Sequence, residues 1–411
     1  MSAFPLLLLA SLSGATGPAT GDAARAMART YVATYSVTYL ARAHARIPAW
    51  ARKYNMNCSG CHYPAPPRLN ATGQRFKWAG YRMPEEIGEQ VNVEKVQNYL
   101  AAGGEVDFDY DKVQSAPATN TFSAPAVTVF YAGPFARNFG GFFELENGPD
   151  GVERIATVFA LWGTEKKGYG GVRFGQMHNF FEWGVAGFDR PVGISAPLPM
   201  DEPLSGGNGI PFMLGEHAIG LEGFYVKGSN RLSAQVLNGI TPLGEVAPED
   251  VDSKKDFVVT DQFLLDNAGS GVQAMAYTGS VLDTLGTTTS HFWRVGASAN
   301  KIVNNFEVLG AVVLGRDRDL PGGVPDVKAL GWWVSGQYVF PKHSFTVFGR
   351  YESLDPNTDT PDDANRRVVL GAVLPVTLPE HLRWAVEYRL DTPQGGAPKT
   401  NHLATNVLLF F

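Results

Sequence analysis

The two cysteines of the chain stand three positions apart and a histidine follows the second, giving Cys58-Ser59-Gly60-Cys61-His62. Two thiols at this spacing reach the two vinyl groups on one edge of a porphyrin and close two thioether bonds. The next side chain, His62, is then carried beneath the ring, where an imidazole nitrogen meets the iron. This is the attachment pattern of a c-type haem. Covalent attachment holds a cofactor in a segment too small to retain it by burial. A structural zinc site typically needs two such cysteine pairs, and the chain has one. A thioredoxin-like redox pair sits in a βαβ setting, whereas here Pro64, Pro66 and Pro67 follow the motif. One haem c is expected, bonded to Cys58 and Cys61 and ligated by His62.

The face of the iron opposite His62 needs a ligand of its own. A methionine there raises the potential and a second histidine lowers it. Met83 follows beyond the turns marked by Gly73, Gly80 and Pro84, so the chain can double back over the ring. Met56 is too near the attachment to reach the far face, His44 is expected to be removed, and a histidine of the later chain such as His178 is the other source. Met83 is the expected distal ligand of the haem iron. Core packing is the competing use of a methionine.

The elements that must position this motif fall into three stretches, 1–45, 46–97 and 98–411. The first reads as an export segment. Leu6 to Leu12 is apolar but lacks a preceding positive charge. A second candidate runs from Arg25 and Arg29 through Tyr31–Leu40 to Ala43-His44-Ala45, a small-x-small cleavage pattern. That candidate makes Met27 the start and places the mature terminus near Arg46. The second stretch is the small haem segment and its linker. The third changes texture and alternates apolar with polar residues.

Alternation continues to the chain end, where Leu403, Thr405, Val407, Leu409 and Phe411 share one face. A last strand closing on an aromatic residue resembles the assembly signal of outer-membrane barrels. Sixteen strands are expected, near 98–110, 122–132, 139–148, 152–163, 169–177, 217–227, 231–240, 257–267, 271–281, 291–301, 304–315, 330–340, 344–354, 366–376, 381–391 and 401–411. Each has the length of about 9–12 residues that a tilted membrane strand needs, and the even count suits a closed single-chain barrel. Connections alternate in length. Those at 133–138, 164–168, 228–230, 268–270, 302–303, 341–343 and 377–380 are short, while those at 111–121, 178–216, 241–256, 282–290, 316–329, 355–365 and 392–400 are longer; only the outer connection near 149–151 breaks the pattern. This places both mature termini in the periplasm. The expected fold is all-β, a porin-like transmembrane antiparallel barrel with a small N-terminal c-type cytochrome plug. No apolar run reaches the length of a spanning helix. The net charge of −6 and the lack of a basic patch argue against nucleic acid.

Several short runs carry a resemblance. They are Pro48, Ala51-Arg52-Lys53-Tyr54, the haem pentapeptide, Pro67, Leu69-Asn70, Gly73, Phe76-Lys77 and Gly80-Tyr81, then Phe130-Tyr131-Ala132-Gly133-Pro134 and Asn138-Phe139-Gly140-Gly141-Phe142-Phe143. Together they resemble the fused outer-membrane monohaem cytochrome–porins of iron-oxidising bacteria, with Trp50 standing where that family has Phe. The resemblance implies an outer-membrane oxidoreductase that takes electrons from extracellular Fe(II) through one haem c and passes them to a soluble periplasmic cytochrome c. Two other readings stay open: a porin whose haem is a redox sensor or a structural plug, and a conduit for another donor or acceptor. The loops 178–216, 241–256, 316–329 and 355–365 sum to roughly −11, a field that concentrates cations at a mouth. Asp201, Glu202, Asp355, Asp359, Asp362 and Asp363 are the expected hard-oxygen ligands for weak Fe(II) capture. No Ser/His/Asp set, HExxH or phosphate loop suggests other chemistry.

Overall fold

Alternating side chains give strands whose two faces differ, and here the faces are reversed relative to a soluble barrel. In β9 (Asp256–Leu264) the buried residues are Asp256, Val258, Thr260, Gln262 and Leu264, while Phe257, Val259 and Phe263 lie exposed between them. The same holds in β12 (Phe306–Arg318), where Glu307 and Asp317 are buried and Phe306, Val308, Val312 and Leu314 are exposed. The outside is apolar and the inside carries charge. Water does not reward that arrangement, whereas hydrocarbon does. Phe139, Trp162, Tyr225, Phe306 and Tyr338 are exposed near the short connections and form an aromatic girdle at that rim.

The structure, a computed structural model, describes residues 49–63, 68–124, 126–148, 151–177, 192–206, 209–210, 213–215, 218–240, 254–283, 286–340, 345–375 and 382–410. The export segment, Pro64, Pro66, Pro67, His178 and Phe411 lie outside these residues. All of the described residues belong to one unit, Ile47–Phe411.

The other strands are β1 (Leu100–Val113), β2 (Thr119–Ser123), β3 (Val127–Pro134), β4 (Phe139–Gly148), β5 (Gly151–Thr164), β6 (Gly168–Met177), β7 (Ala218–Lys227), β8 (Asn230–Leu237), β10 (Gly271–Leu282), β11 (Thr289–Val303), β13 (Val327–Phe340), β14 (Phe345–Asp355), β15 (Asn365–Pro375), β16 (Leu382–Pro393) and β17 (Thr400–Phe410). Apart from β2 and β3, which both pair with β1, each pairs antiparallel with its sequence neighbours. β17 pairs with β1 from Val113↔Thr400 to Gly103↔Phe410 and closes the ring. β2 and β3 lie on the same edge of β1, so the 17 segments form a barrel of sixteen staves. Every expected strand has its counterpart. The second is split in two, and the sequence places Pro125, which has no amide hydrogen, in the gap. The register Asp107↔Ser123 resumes as Gly104↔Val127, one residue longer on the broken strand, as a bulge requires.

Two stretches lie against the inner wall. One is the described part of residues 49–99, with helix α1 (Ala49–Tyr54), helix α2 (Ala71–Trp78) and the 3-10 stretches Cys58–Gly60, Pro84–Glu86 and Val93–Tyr99, the last kinked at Lys95. The other is part of the connection 178–216, expected to be an outer loop. Its residues 192–206, 209–210 and 213–215, with helix α3 (Leu198–Asp201), turn inward instead. Leu198, Met200, Leu204, Ile210 and Leu214 are buried with the wall residues Val258, Tyr277, Phe292, Val313 and Trp333. So many apolar side chains cannot stay in solvent, and the wall supplies ionic partners for the polar remainder. Among the described residues, no helix is long and apolar enough to cross a membrane.

Val312 faces outward at the middle of β12. Val312→Arg should cost about 2–4 kcal/mol of unfolding free energy in lipid vesicles, read by tryptophan fluorescence in a urea titration. Val324→Arg, in the exposed connection after β12, should cost under about 0.5 kcal/mol.

Candidate functional site

Helix α1 ends at Asn55, which takes a positive φ of 50°, a conformation that asparagine tolerates. The chain then turns through the single 3-10 turn Cys58–Gly60. Met56 packs against Gly60, where an added Cβ would strike its terminal methyl. His62 pairs across a β-bridge with Leu69. Its Nδ1 lies 2.9 Å from the carbonyl oxygen of Arg68. A carbonyl only accepts, so Nδ1 carries the proton and the ring lone pair resides on Nε2. Burial pushes the Cys61 thiol above its ordinary pKa.

Asn70 fastens this turn to α2. Its Oδ1 caps the helix by accepting from Gly73 N at 3.0 Å. Its Nδ2 donates to Ser59 O at 3.1 Å and Gly60 O at 3.0 Å, and its own amide donates to Cys61 O at 2.9 Å. One side chain thus satisfies the start of a helix and the carbonyls of the motif together. At Gly73 an added Cβ would collide with Cys61 O, so glycine permits the helix to lie directly on the motif. Gly80 and Tyr81, both at positive φ (70° and 59°), then reverse the chain.

The segment is anchored at the short-connection end of the barrel. Arg68, 2 % exposed, forms an ion pair through Nη2 with Glu307 Oε1, and Glu307 is itself 0 % exposed on the inner face of β12. Asn300 Nδ2 donates to the same Glu307 oxygen at 2.6 Å and to Gly269 O at 3.0 Å, and Gln337 Nε2 donates to Glu307 Oε2. Trp78 Nε1 donates to Gln262 at 3.0 Å. Tyr63 donates to Asn304 O at 3.4 Å, and burial with Glu307 nearby pushes its phenol up to about 12. The turn 265–270 is held stiff by Asp266, whose Oδ1 accepts from the amides of Ala268, Gly269 and Ser270. Against a desolvation that raises it, bonds from Ser270 and Lys301 bring the Asp266 carboxyl down to about 2.

On the other side the β3–β4 hairpin receives the segment. Trp50 Nε1 donates to Ala132 O at 2.8 Å, and the indole stacks on Tyr81 with centroids 5.7 Å apart. A phenylalanine could not make that bond, so the indole adds an anchor. Arg82, 1 % exposed, donates to Arg137 O at 2.9 Å and Phe139 O at 3.3 Å. An added Cβ at Gly133 would meet Tyr99 and one at Gly140 would meet Phe159. Of the hairpin residues that carried the resemblance, Phe130 packs on Trp50 and Phe142 on Tyr81, while the Phe139 and Phe143 side chains are exposed on the outside.

Met83 precedes the 3-10 turn Pro84–Glu86. Its amide donates to Glu86 Oε2 at 3.2 Å, and Glu86 also accepts from Lys53 at 2.9 Å and Tyr54 at 2.5 Å. Burial and Glu86 keep the Tyr54 phenol protonated far above its ordinary range. The Met83 backbone is thus fixed beside the end of α1.

The acidic loop residues do not form one set. Asp201 pairs with Arg367 at 3.0 Å and Asp359 with Lys328 at 2.8 Å, while burial and Asp355 beside it raise the Asp363 carboxyl. Among the described residues no group of three His, Cys, Asp or Glu is placed to hold a metal. The sequence reading passed over a stripe on β1. Glu105, Asp107, Asp109 and Asp111 alternate with Val106, Phe108 and Tyr110; Val106 and Tyr110 are exposed to the outside, so the four acids face the lumen. Their alternation was visible in LAAGGEVDFDYDKV, but its direction needed the closed ring. Asn406 Nδ2 bridges Glu105 and Asp107, and His402 meets Asp111 at 2.5 Å and Asp109 at 3.3 Å. The wall facing the inward connection is different in kind. Its arginines are paired, as Arg294 with Asp317 at 2.5 Å, Arg350 with Glu352, and Arg367 with Asp391 at 2.6 Å.

The ring of sixteen antiparallel staves matches solved outer-membrane structures in fold. The barrel has the porin fold. The anion-selective porin from Comamonas acidovorans matches with a TM-score of 0.56 at 12% identity, over 76% of this chain and 99% of that one. The outer membrane channel DcaP of Acinetobacter baumannii gives 0.54 at 12% identity, over 76% and 97%. A loop-deletion mutant of OmpT, an outer membrane protein of Vibrio cholerae, gives 0.54 at 12% identity, over 76% and 99%. No family model and no curated protein matches the sequence. The likeness covers fold alone.

Asn70→Ala removes a helix cap and two bonds to the motif and should weaken the segment by about 1–2 kcal/mol. Limited proteolysis of the detergent-solubilised protein should cut within 49–99 about tenfold faster, while Asn70→Ser, which still caps, should lie between.

Proposed function

We propose that this chain is an outer-membrane electron conduit, an oxidoreductase that oxidises extracellular Fe(II) through one haem c and passes the electron to a periplasmic cytochrome c. The single observation that carries the reading is the state of His62. Its Nδ1–H is held by the Arg68 carbonyl at 2.9 Å, and metal-ligating histidines typically hold the nitrogen that does not bind the metal in this way, which fixes the tautomer. Cys58 and Cys61 would bond the haem, His62 would ligate its iron, and Met83 would be the ligand opposite. Bound there, the haem supplies a reversible one-electron couple.

The residues around the motif hold it in place. Asn70 and Gly73 fix the turn that carries Cys58, Cys61 and His62, and Arg68, Trp78, Trp50 and Arg82 fix that turn to the wall. The acids along β1 run from Glu105 to Asp111, about 20 Å along the strand, toward the connections at 114–118 and 394–399. Such a stripe favours cations over anions in the lumen. We assign the short connections, and with them both mature termini, to the periplasmic side, as in outer-membrane barrels generally. The export segment fits that destination. The haem would then lie near a soluble electron acceptor.

The likeness to porins favours a second reading, a transport porin whose haem is a sensor or a structural plug. Anaerobic mixing with Fe(II) separates the two. Under the conduit reading the haem absorption bands shift to the reduced form on adding Fe(II). A protein whose haem stays oxidised with Fe(II), yet reduces with dithionite, is not an iron oxidase. Met83→Ala should alter the oxidised haem spectrum and lower the midpoint potential; an unchanged spectrum and potential removes Met83 as ligand.

A further inference from the structure

We infer that Glu307, a residue of the barrel wall, is a positioning residue for His62 and so sets the redox properties of the group that His62 holds. The inference rests on the haem reading above and adds a wall residue to it. Three contacts in series make the link. His62 Nδ1 donates to the carbonyl of Arg68 at 2.9 Å. The Arg68 guanidinium is paired with Glu307. Glu307 is fixed in turn by Asn300 at 2.6 Å on one oxygen and by Gln337 on the other.

Burial makes the link strict. The side chain of Arg68 is 1% exposed and that of Glu307 0%. A guanidinium does not give up its proton in a protein, so it stays charged and needs a carboxylate beside it. The position of that carboxylate dictates where the Arg68 side chain lies, and the same residue supplies the carbonyl that orients His62. Asn300 extends the link to Gly269 O at 3.0 Å, in a turn where an added Cβ at Gly269 would meet Asn70 and Ala71 at the start of α2. One wall carboxylate is therefore linked through Arg68 to His62 and through Asn300 and Gly269 to the start of α2. It also sets the local charge. With Glu307 ionised the pair is neutral; without it, the field at the iron ligand becomes more positive. A positive charge there disfavours the more highly charged oxidised iron and raises the potential.

The test uses the full-length protein in detergent, with covalent haem established first by the pyridine haemochrome spectrum. Glu307→Gln keeps the shape and removes the charge. It should shift the reduction equilibrium about tenfold toward the reduced form, which is about 59 mV for one electron, and change the low-spin EPR g values that report the His62 ring. Glu307→Asp keeps the charge and should retain most of the wild-type potential. Arg68→Lys keeps both charges but loses the planar fork, so it should change the g values with a smaller shift in potential; it serves as the second variant if Glu307→Gln does not fold. Haem-loaded variants with wild-type potential and g values overturn the inference while leaving the haem reading intact. A wild-type protein without covalent haem sinks both.

Discussion

A charged arginine inside a barrel cannot be left alone, and the placement of Arg68 is the constraint on which the rest of this structure turns. Removing one member of a buried ion pair costs roughly 3–5 kcal/mol, because the other charge is stranded. Arg68 therefore commits the stretch that carries Cys61 and His62 to one place on the wall, beside Glu307. The other anchors are individually weaker and act together with it. Trp78 meets Gln262, Arg82 reaches the β3–β4 hairpin, and Trp50 spans from α1 to Ala132. Each uses a backbone carbonyl or a neutral side chain. Only the arginine pair sets a charge against a charge at full burial between segment and wall among the described residues.

The barrel makes such a pair affordable by being polar within. Its outward face is matched to hydrocarbon, so the inner face is free to carry Glu222, Arg294, Glu307, Asp317 and Glu352, all buried. These charges are divided among tasks. Glu307 holds the motif segment at the short-connection end. The arginines and carboxylates of β11 to β16 hold the inward connection around α3. The carboxylates of β1 are left facing the lumen with His402 and Asn406. A cation entering from the long-connection end would meet the acidic stripe before it met the segment that bears His62.

The sequence disclosed the barrel because the side-chain period of a strand is two and does not depend on distant contacts. All sixteen staves could be counted, and the break in the second has its cause in one proline. The inward connection was not legible. Nothing local tells whether Leu198, Met200 and Leu204 cover an inner wall or cluster in an outer loop, since the partners lie in strands a hundred residues later. The acids of the loops misled for the same reason: Asp201 is the partner of Arg367, a fact of folding and not of spacing. The Cys58–His62 motif was legible at once, but its orientation was not. That required the Arg68 carbonyl and the cap at Asn70, and behind them Glu307. Trp50 shows how far a resemblance reaches. It marked the position as aromatic and left unsaid that the indole N–H would bond to the wall.

On the proposed reading, the Cys58–His62 motif inside the short-connection rim of the barrel is where a haem would be held. Cryo-electron microscopy of the full-length protein in a lipid nanodisc tests it most directly. The expected map shows planar density joined to Cys58 and Cys61 and touching His62 within the ring of strands, beside the turns 265–270 and 304–305, with Arg68 in contact with Glu307. A haem outside the barrel, or a lumen without residues 49–99, would contradict it.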